Sequence, residues 1–290
     1  MKTPILPNTE EIRTHVRERY GAIAEQAGES CGCAPTCCAP SDASMQEAAK
    51  KHRPAAGPKS CCGSDHEAQS YGEKLGYTAE ELGAAPAGSE LGLGCGNPLA
   101  IASIKAGETV LDLGSGAGFD CFLAARQLAG TGRVIGIDMT PAMITKARAN
   151  ALKGGYSNVE FRLGEIEALP VADASVDLIL SNCVINLSPE KDRVFREAFR
   201  VLKPGGRLAI ADIVATQPVP VELRSRLAAI GACVGGAALV TELRVMLKQA
   251  GFAGSDIALK EATRELIRQW TDDPGAGDFV VSALITAHKA

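Results

Sequence analysis

Residues 109–119 read TVLDLGSGAGF, an apolar run that passes into a turn containing three glycines. The apolar run predicts a short β-strand from Thr109 to Leu113, and a helix is predicted to follow from Phe119 to Leu128. Small residues let the backbone approach a ligand closely, and the first turn of a helix has N–H groups without partners inside the helix. The stretch therefore predicts a ligand-binding turn, although the glycines alone leave a plain tight turn as the alternative.

Strands and helices alternate beyond this turn. Further strands are predicted at Arg133–Asp138, Val159–Leu163, Asp177–Ser181 and Arg207–Val214, with helices that open at Pro141 and at Ser188–Pro189, the second ending at Gly205–Gly206. Such alternation indicates an α/β fold, in which a mostly parallel sheet has helices on both faces. Two late segments, Ile257–Lys260 and Val280–His288, look like strands that add an antiparallel edge strand to the sheet.

The order of these segments divides the chain into three regions. Residues 1–70 contain a predicted helix at Asn8–Ala27 and a segment rich in Ala, Pro, Cys and Gly, which we expect to be flexible. Residues 71–214 contain the strand–helix alternation. Residues 215–290 contain predicted helices at Val221–Cys233 and Val240–Ala250, followed by the two late strands.

Composition excludes several classes of function. The chain has 290 residues, of which 46% are hydrophobic and 22% charged, and its formal net charge is −4. This balance gives no electrostatic reason to expect binding to nucleic acid or to an anionic membrane. No apolar run approaches the length that spans a bilayer, and the first ten residues lack an apolar signal core, so we expect a cytoplasmic protein. In a reducing compartment, ten cysteines favour thiol chemistry or binding of a soft metal or metalloid over a disulfide scaffold.

The spacing between the glycine turn and a later acidic residue indicates the kind of ligand. Asp138 ends the second predicted strand, twenty residues beyond Gly118, where a carboxylate can accept hydrogen bonds from ribose hydroxyls. This arrangement indicates a ribose-bearing cofactor. The segments Asp112–Gly116, Gly164–Pro170 and Leu202–Gly206 together resemble the class I S-adenosylmethionine-dependent methyltransferases, whereas a nicotinamide dehydrogenase would share only the glycines and the acid.

This resemblance implies a Rossmann-like fold that uses S-adenosylmethionine as the consumed methyl donor, without a permanent metal. Glu165 and Ile166 belong to the stretch that contacts adenine in that family. Asn182 directly follows the predicted fourth strand. The implied cofactor-binding residues are Asp112, Gly114, Ser115, Gly116, Asp138, Met139, Glu165, Ile166 and Asn182.

Cys183 comes directly after the fourth strand, in the sequence SNCVIN. Because ligands of open α/β sheets bind at the carboxyl ends of the strands, Cys183 borders the place where the methyl group must lie. Taken alone, such a cysteine more often serves core packing. Cys95 and Cys233 favour a binding role over core packing, since both lie among small residues. The glycines and proline around Cys95 predict a tight, exposed loop. Three such cysteines predict a trithiolate site for a soft, three-coordinate atom.

The same segments resemble those of the arsenite methyltransferases. The matching segments are Gly94–Gly96, Ser181–Leu187, Cys233 with Gly235–Ala237, Gly118–Cys121 and Asp138–Thr140, and the resemblance covers roughly residues 71–290. It implies that Cys95, Cys183 and Cys233 bind trivalent arsenic during catalysis, with arsenite and methylated arsenicals as substrates. It also implies a redox role for a fourth cysteine, either Cys61 or Cys62, with thioredoxin or glutathione as the reductant.

The other cysteines carry weaker signals. Cys121 lies three residues into a predicted helix, where we expect it to pack in the core. The spacing of Cys31, Cys33, Cys37 and Cys38 lacks the C-x2-C pairs of ordinary zinc sites. These four residues fit either a thiol-rich flap that captures metalloid or a dispensable tail.

Two further functions fit the sequence. One is a class I methyltransferase that acts on a small organic acceptor, for which replacement of Cys183 or Cys233 would leave turnover largely intact. The other is a metalloid-binding protein on a methyltransferase fold, which would bind trivalent arsenic tightly without consuming S-adenosylmethionine. The glycine turn with Asp138 argues against the second function, and the loop cysteines argue against the first.

Overall fold

The computed structural model describes residues 4–26, 71–270 and 275–290. The strands are β1 Thr109–Leu113, β2 Arg133–Asp138, β3 Val159–Leu163, β4 Val176–Asn182, β5 Leu202–Ala215, β6 Ala253–Lys260 and β7 Val280–His288. They form one seven-stranded sheet in the order β3-β2-β1-β4-β5-β7-β6. Strands β1 to β5 pair in parallel, and β7 is antiparallel to both β5 and β6. The predicted mostly parallel sheet with a C-terminal antiparallel addition is therefore confirmed, with β7 as the antiparallel strand and β6 outside it.

Helices cover both faces of the sheet. Their bounds are α1 Thr9–Gln26, α2 Ala79–Ala84, α3 Leu99–Ala102, α4 Phe119–Gln127, α5 Pro141–Gly154, α6 Lys191–Val201, α7 Val221–Arg224, α8 Leu227–Gly231, α9 Val240–Ala250, α10 Arg264–Ile267 and α11 Ala276–Phe279, with 3₁₀ turns at Ile185–Leu187 and Glu261–Thr263. One apolar core contains Phe122 of α4, and another contains Phe195 of α6. Among the helices in the described ranges, none has both the length and the apolar character needed to cross a bilayer.

The first strand lies inside the sheet, next to the middle strand β4, and every one of its residues is buried. It pairs with β2 on one side and with β4 on the other, so the direction in which the chain adds strands reverses at β1. Such a reversal opens a crevice at the carboxyl ends of the strands. The crevice is therefore bordered by the glycine turn after β1, by the end of β2 and by the end of β4.

Gly118 joins the turn after β1 to helix α4. Its φ is 97°, and a Cβ atom there would lie 2.7 Å from the rings of both Phe122 and Phe161. Only glycine combines that backbone conformation with such a close approach of rings. The turn is thereby held tightly against the sheet.

Helix α1 begins with reciprocal hydrogen bonds between Asn8 and Glu11. The Glu11 N–H donates to Asn8 Oδ1 at 3.0 Å, and the Asn8 N–H donates to Glu11 Oε2 at 2.8 Å. This is a capping box, which satisfies two N–H groups at the helix start. The helix predicted at Asn8–Ala27 is confirmed within one residue at each end.

The helix predicted from Ser188 to Gly205–Gly206 is shorter than expected. It begins at Lys191 and ends at Val201, and β5 already begins at Leu202, which pairs with Val176. Pro204 lacks an N–H group and favours an extended conformation in the residue before it, so the helix cannot continue through this segment. The prediction that β5 begins only at Arg207 was therefore wrong.

The helix predicted at Val221–Cys233 is divided into α7 and α8. Arg226 between them is extended, with φ −94° and ψ 112°. The chain then folds back, so that a Cβ atom on Gly235 would lie 2.8 Å from the carbonyl oxygen of Leu223. A continuous helix would hold these two residues apart. The predicted division of the chain at residues 70 and 214 stays a prediction, since β6 and β7 extend the same sheet.

Two leucines on strands provide a test of this fold. Leu180 on β4 is fully buried, whereas Leu163 on β3 is 53% exposed. We expect Leu180→Ala to lower the free energy of unfolding by about 3 kcal/mol because it leaves a cavity in the centre of the sheet. Leu163→Ala is the matched control and should cost less than about 1 kcal/mol. Urea titration measures both, and equal losses would contradict the central position of β4.

Candidate functional site

A cavity lies at the carboxyl ends of β1, β2 and β4, and the space between its walls and its open mouth is about 1060 Å³. Among the predicted cofactor-binding residues, those that line the cavity are Asp112, Gly114, Ser115, Gly116, Asp138, Met139, Ile166 and Asn182. The structure therefore brings together eight of the nine residues that the resemblance implies.

Three features of the cavity wall fit a nucleoside cofactor. The Oγ atom of Ser115 is buried without a hydrogen-bond partner in the described part of the chain. A Cβ atom on Gly116 would meet nothing within 4 Å, because it would stand in the cavity. The Asp138 carboxylate accepts N–H groups from Gly116 at 3.0 Å and from Thr140 at 2.8 Å, which fixes its direction and leaves lone pairs for ribose hydroxyls.

Glu165 does not line the cavity with the other predicted cofactor residues. Its carboxylate lies 3.7 Å from the guanidinium groups of Arg13 and Arg17, both on helix α1. Glu165 thus connects the loop after β3 to the N-terminal helix, and its role as a cofactor contact stays a prediction.

Helix α1 contributes a wall of the cavity that the sequence did not indicate. Arg13, Val16 and Tyr20 line the cavity from this helix. The Arg13 guanidinium also contacts Glu190 at 2.8 Å, and the Tyr20 hydroxyl donates to the carbonyl of Gly231 at 3.4 Å. Nothing in the periodicity of α1 distinguishes these residues from ordinary packing positions.

The Asn182 side chain connects the cavity to the loop of Cys95. Its Nδ2 group shares two N–H bonds among three acceptors, the Tyr77 hydroxyl at 2.9 Å, the Gly96 carbonyl at 2.9 Å and Asp120 Oδ2 at 3.1 Å. Its Oδ1 atom accepts the N–H of Cys95 at 3.0 Å. One amide at the end of β4 therefore fixes the position of a loop that lies 86 residues away in the chain.

The three predicted thiols meet directly below the cavity. Cys183 lines the cavity, its Sγ atom lies within 4.8 Å of that of Cys95, and all three cysteines belong to one buried cluster. The Cys233 thiol also donates to the carbonyl of Cys183 at 3.2 Å. Residues far apart in the sequence thus form one buried cluster of three sulfur atoms.

Cys95 is 1% exposed, so the prediction of an exposed loop around it was wrong. The loop is folded down onto the ends of the strands by the Tyr71 hydroxyl, which donates to the Gly94 carbonyl at 3.0 Å, and by Ser282 Oγ, which donates to the Cys95 carbonyl. A Cβ atom on Gly96 would lie 3.0 Å from the Ala211 side chain. The glycines around Cys95 therefore permit close packing, not exposure.

Cys183 and Cys233 have unusual backbone conformations. Their φ angles are 58° and 62°, in the left-handed region that disfavours side chains with a Cβ atom. Such conformations cost free energy and persist where function requires them. Ser103, Ala129 and Ala174 share this conformation elsewhere in the described residues, but only Cys183 and Cys233 combine it with burial in one thiol cluster.

Burial holds the thiols in the protonated form. It raises the pKa of Cys95 to about 11. For Cys183 the hydrogen bond with Cys233 lowers the pKa, but the hydrogen bond with Cys95 and burial outweigh it, so the pKa lies well above the usual value. For Cys233 the hydrogen bond with Cys183 and then burial raise the pKa. At neutral pH the cluster therefore consists of thiols.

Cys121 packs in the core, as predicted, and its thiol donates to Asp112 Oδ2 at 3.2 Å. Cys61 and Cys62 lie outside the described residues, as do the four cysteines from Cys31 to Cys38.

Asp212 of β5 is a buried acid that lies beside the thiols. Unlike the thiols, it was not predicted from the sequence. One of its carboxylate oxygens and the Sγ atoms of Cys95 and Cys183 all lie within 4.8 Å of one another. Burial raises the pKa of Asp212 to about 7, against the effect of the N–H groups that it accepts. The sequence feature that could have identified Asp212 is a single acidic residue within the otherwise apolar segment LAIADIVA.

The strand order, the glycine turn and the acid at the end of β2 define a class I S-adenosylmethionine-dependent methyltransferase. A family model described as a methyltransferase domain matches residues 104–251. An arsenite methyltransferase from Halobacterium salinarum is 49% identical over 280 residues, which are 97% of this chain and 67% of that protein. The chain belongs to the arsenite methyltransferase family.

Two other relatives agree with this assignment. An arsenite methyltransferase from Aquipseudomonas alcaligenes is 44% identical over 166 residues, which are 55% of this chain and 47% of that protein. A crystal structure of an arsenic(III) S-adenosylmethionine methyltransferase from Chlamydomonas reinhardtii has a TM-score of 0.54 and 31% identity, covering 78% of this chain and 73% of that one. The chain thus spans about two thirds of the first relative and about half of the second.

Glu90 lines the cavity and provides a test of its charge. Burial raises the pKa of Glu90 to about 7, against a hydrogen bond from the Gly92 N–H, and the nearby Asp120 raises it further. S-adenosylmethionine is cationic, so we expect its affinity to increase as Glu90 ionises between pH 6 and pH 8. Glu90→Gln should weaken binding about fivefold at pH 8, the effect of a charge contact of about 1 kcal/mol, and hardly at pH 6.

Isothermal titration of the wild type and of Glu90→Gln across this pH range measures the effect. Asp120 titrates in the same cavity with a pKa of about 6, so part of the pH dependence should remain in the variant. Parallel pH profiles for the two proteins would show that the Glu90 charge does not reach the cofactor.

Proposed function

We propose that this protein transfers methyl groups from S-adenosylmethionine to trivalent arsenic bound by the thiolates of Cys95, Cys183 and Cys233. The observation that carries the proposal is the burial of three cysteines in one cluster, in which Cys183 lines the cofactor cavity, lies within 4.8 Å of the Cys95 sulfur and accepts the Cys233 thiol at its carbonyl. Sulfur ligands suit a soft atom such as arsenic, and three of them match its coordination number. Membership of the arsenite methyltransferase family supports the choice of substrate.

Binding of arsenic follows from the protonated state of the thiols. Arsenite at neutral pH is arsenous acid, with three hydroxyl groups on arsenic. Each thiol forms an As–S bond while its proton leaves with one hydroxyl group as water, so three thiols release three waters. The reaction balances without an external base, which agrees with thiols whose pKa values burial raises.

Arsenic bound to three sulfurs keeps its lone pair, which is the nucleophile for methyl transfer. S-adenosylmethionine supplies an electrophilic methyl group on its sulfonium sulfur. No proton has to be removed from the acceptor, so the site needs positioning more than acid–base catalysis. The Asp138 carboxylate and the glycine turn serve to hold the cofactor, and Cys183 serves to hold arsenic at the border of the cavity.

Methyl transfer converts trivalent into pentavalent arsenic, and a further round requires two electrons. We propose that a pair of thiols supplies these electrons by forming a disulfide, with Cys61 or Cys62 as one partner and Cys95 as the other. Thioredoxin or glutathione would then reduce the disulfide through a mixed disulfide. The cytoplasm, where such reductants keep thiols reduced, is the compartment that suits this cycle.

Replacement of single cysteines tests the proposed ligands. We expect Cys183→Ser and Cys233→Ser to lower the rate of arsenite methylation at least about 100-fold, since two sulfurs position arsenic poorly. Cys95→Ser should be as damaging with arsenite but milder with a monomethylated trivalent arsenical, which needs fewer sulfur ligands. Cys121→Ser, another buried thiol outside the cluster, is the matched control.

Purified protein is incubated with arsenite, S-adenosylmethionine and a thiol reductant, and arsenic species are separated by chromatography. Methylated arsenic from Cys183→Ser at the wild-type rate would exclude Cys183 as an arsenic ligand. Absence of methylated arsenic from the wild type, despite cofactor binding, would favour a small organic acceptor. Tight arsenic binding without any methylated product in the wild type would favour a sequestering protein.

A single turnover without reductant tests the redox step. We expect mass spectrometry of the digested protein to find a disulfide that includes Cys61 or Cys62, because two thiols must lose the electrons that arsenic gains. Separate Cys61→Ser and Cys62→Ser variants decide which of the two residues takes part. Absence of every disulfide that involves Cys61, Cys62 or the arsenic ligands would exclude this route.

A further inference from the structure

We propose that the Asp212 carboxylate lies against the bound arsenic and stabilises the positive charge that arsenic gains as it accepts the methyl group. This inference rests on the proposed function, because it assumes that arsenic binds at the thiol cluster. It assigns a catalytic role to an acid that belongs neither to the thiol ligands nor to the cofactor cavity.

The geometry follows from the distances among three side chains. An atom bonded to the Sγ atoms of both Cys95 and Cys183 lies between them, and an Asp212 oxygen lies within 4.8 Å of each of these sulfurs. Arsenic at that position is therefore within reach of the carboxylate. Asp212 belongs to β5, the strand that pairs with β4 directly beside Cys183.

The carboxylate is held in a fixed direction by backbone groups. Asp212 Oδ2 accepts the N–H groups of Ile185 at 2.9 Å and of Asn186 at 3.3 Å, and Oδ1 accepts the N–H of Ile213 at 2.7 Å. Hydrogen bonds of this kind and the charge of Lys191 oppose the rise in pKa that burial causes, and so favour the charged form. They require no rearrangement during the reaction. The same contacts stabilise the turn that follows Cys183.

No ion pair neutralises Asp212 within the part of the chain that the structure describes. Lys191 is the nearby cation, but its Nζ group donates to the carbonyl oxygens of Asn186 and Ser188, at 3.3 and 2.8 Å. Against the effect of burial, the charge of Lys191 lowers the pKa of Asp212, but without a direct ion pair the buried carboxylate remains costly for folding. Its presence beside a reactive site has a ready explanation if the cation forms only during catalysis.

Charge moves during the proposed reaction in a direction that makes Asp212 useful. The arsenic lone pair forms the As–C bond, the bond between the methyl carbon and the sulfonium sulfur breaks, and its electron pair stays on that sulfur. The sulfonium becomes a neutral thioether, and arsenic, oxidised from the trivalent to the pentavalent state, takes over the positive charge. Glu90, Asp120 and Asp138 lie on the cofactor side, whereas Asp212 lies on the arsenic side and therefore favours the transition state over the bound substrates.

The test separates arsenic binding from methyl transfer in Asp212→Asn. Trp270, the only tryptophan of the chain, packs against the apolar cluster that contains the three cysteines, so its fluorescence reports arsenite binding at that cluster. Single-turnover rate constants with saturating arsenite and S-adenosylmethionine report methyl transfer. We expect arsenite affinity to change less than about fivefold, whereas the rate constant falls about 100-fold, as for the loss of one preorganised electrostatic contact.

Asp177→Asn is the matched control. Asp177 also accepts a backbone N–H group, that of Thr109 at 2.8 Å, but it lies at the opposite end of β4 and pairs with Lys203. We expect its single-turnover rate constant to stay within about twofold of the wild type, as for a surface substitution remote from the site. If Asp212→Asn does not fold, Asp212→Glu and Asp212→Gln, which match in size and differ in charge, give the same comparison.

A rate constant of Asp212→Asn within about threefold of the wild type would overturn the proposal, since one good electrostatic contact is worth more. A loss of arsenite affinity with an unchanged rate for the bound complex would overturn it as well, and would make Asp212 a positioning residue for the turn after Cys183. The proposed function fails in a different way. In that case the wild type yields no methylated arsenic, or the Trp270 signal persists in Cys183→Ser.

Discussion

The pairing of β4 with β5 is the constraint from which the rest of the site follows. The last ladder bond runs from the Cys183 N–H to the Ala211 carbonyl at 2.8 Å, just where β4 ends. Because the strands are parallel and in register, the same bond places Asp212 beside the turn that Cys183 opens. In another register Asp212 and Cys183 would lie at different positions along the strand direction and would not be neighbours.

Two amides then connect the distant parts of the site to that point. Asn182, on β4, holds the loop of Cys95, and Asn186, in the turn after β4, donates to the Cys233 carbonyl at 3.4 Å and to the carbonyl of Ile213. The end of β4 and the turn after it therefore hold the segments of Cys95 and Cys233 in place. Since β4 is the middle strand of the sheet and is largely buried, this segment is anchored in the interior of the protein.

The sequence was sufficient for the sheet and for the residues nearest the glycine turn. The predicted bounds of β1 and β2 match the observed strands because burial on both faces leaves a local apolar pattern. The bounds of β3 also match, although this edge strand is largely exposed and alternates apolar and charged residues. The helix before Pro204, by contrast, ends earlier than predicted. The prediction placed its end at the two glycines after the proline, but the proline already prevents the helix from continuing. Arg13 and Tyr20 of α1 escaped prediction, since helical periodicity does not say against which surface a helix packs. The burial of Cys95 also depends on distant partners, the Tyr71 hydroxyl and the Asn182 amide, that no local pattern reveals.

The left-handed backbone of Cys183 and Cys233 has an evolutionary consequence. At both positions glycine would relieve the backbone strain, so the cysteines are retained at a cost to folding of the order of 1 kcal/mol each. Mutational drift in a lineage that no longer encountered the acceptor would tend towards glycine at these two sites, because loss of sulfur would there be compensated by a more relaxed chain. If both cysteines bind a soft atom as proposed, the strained backbone at these two positions is the part of the stability of the fold that the site gives up.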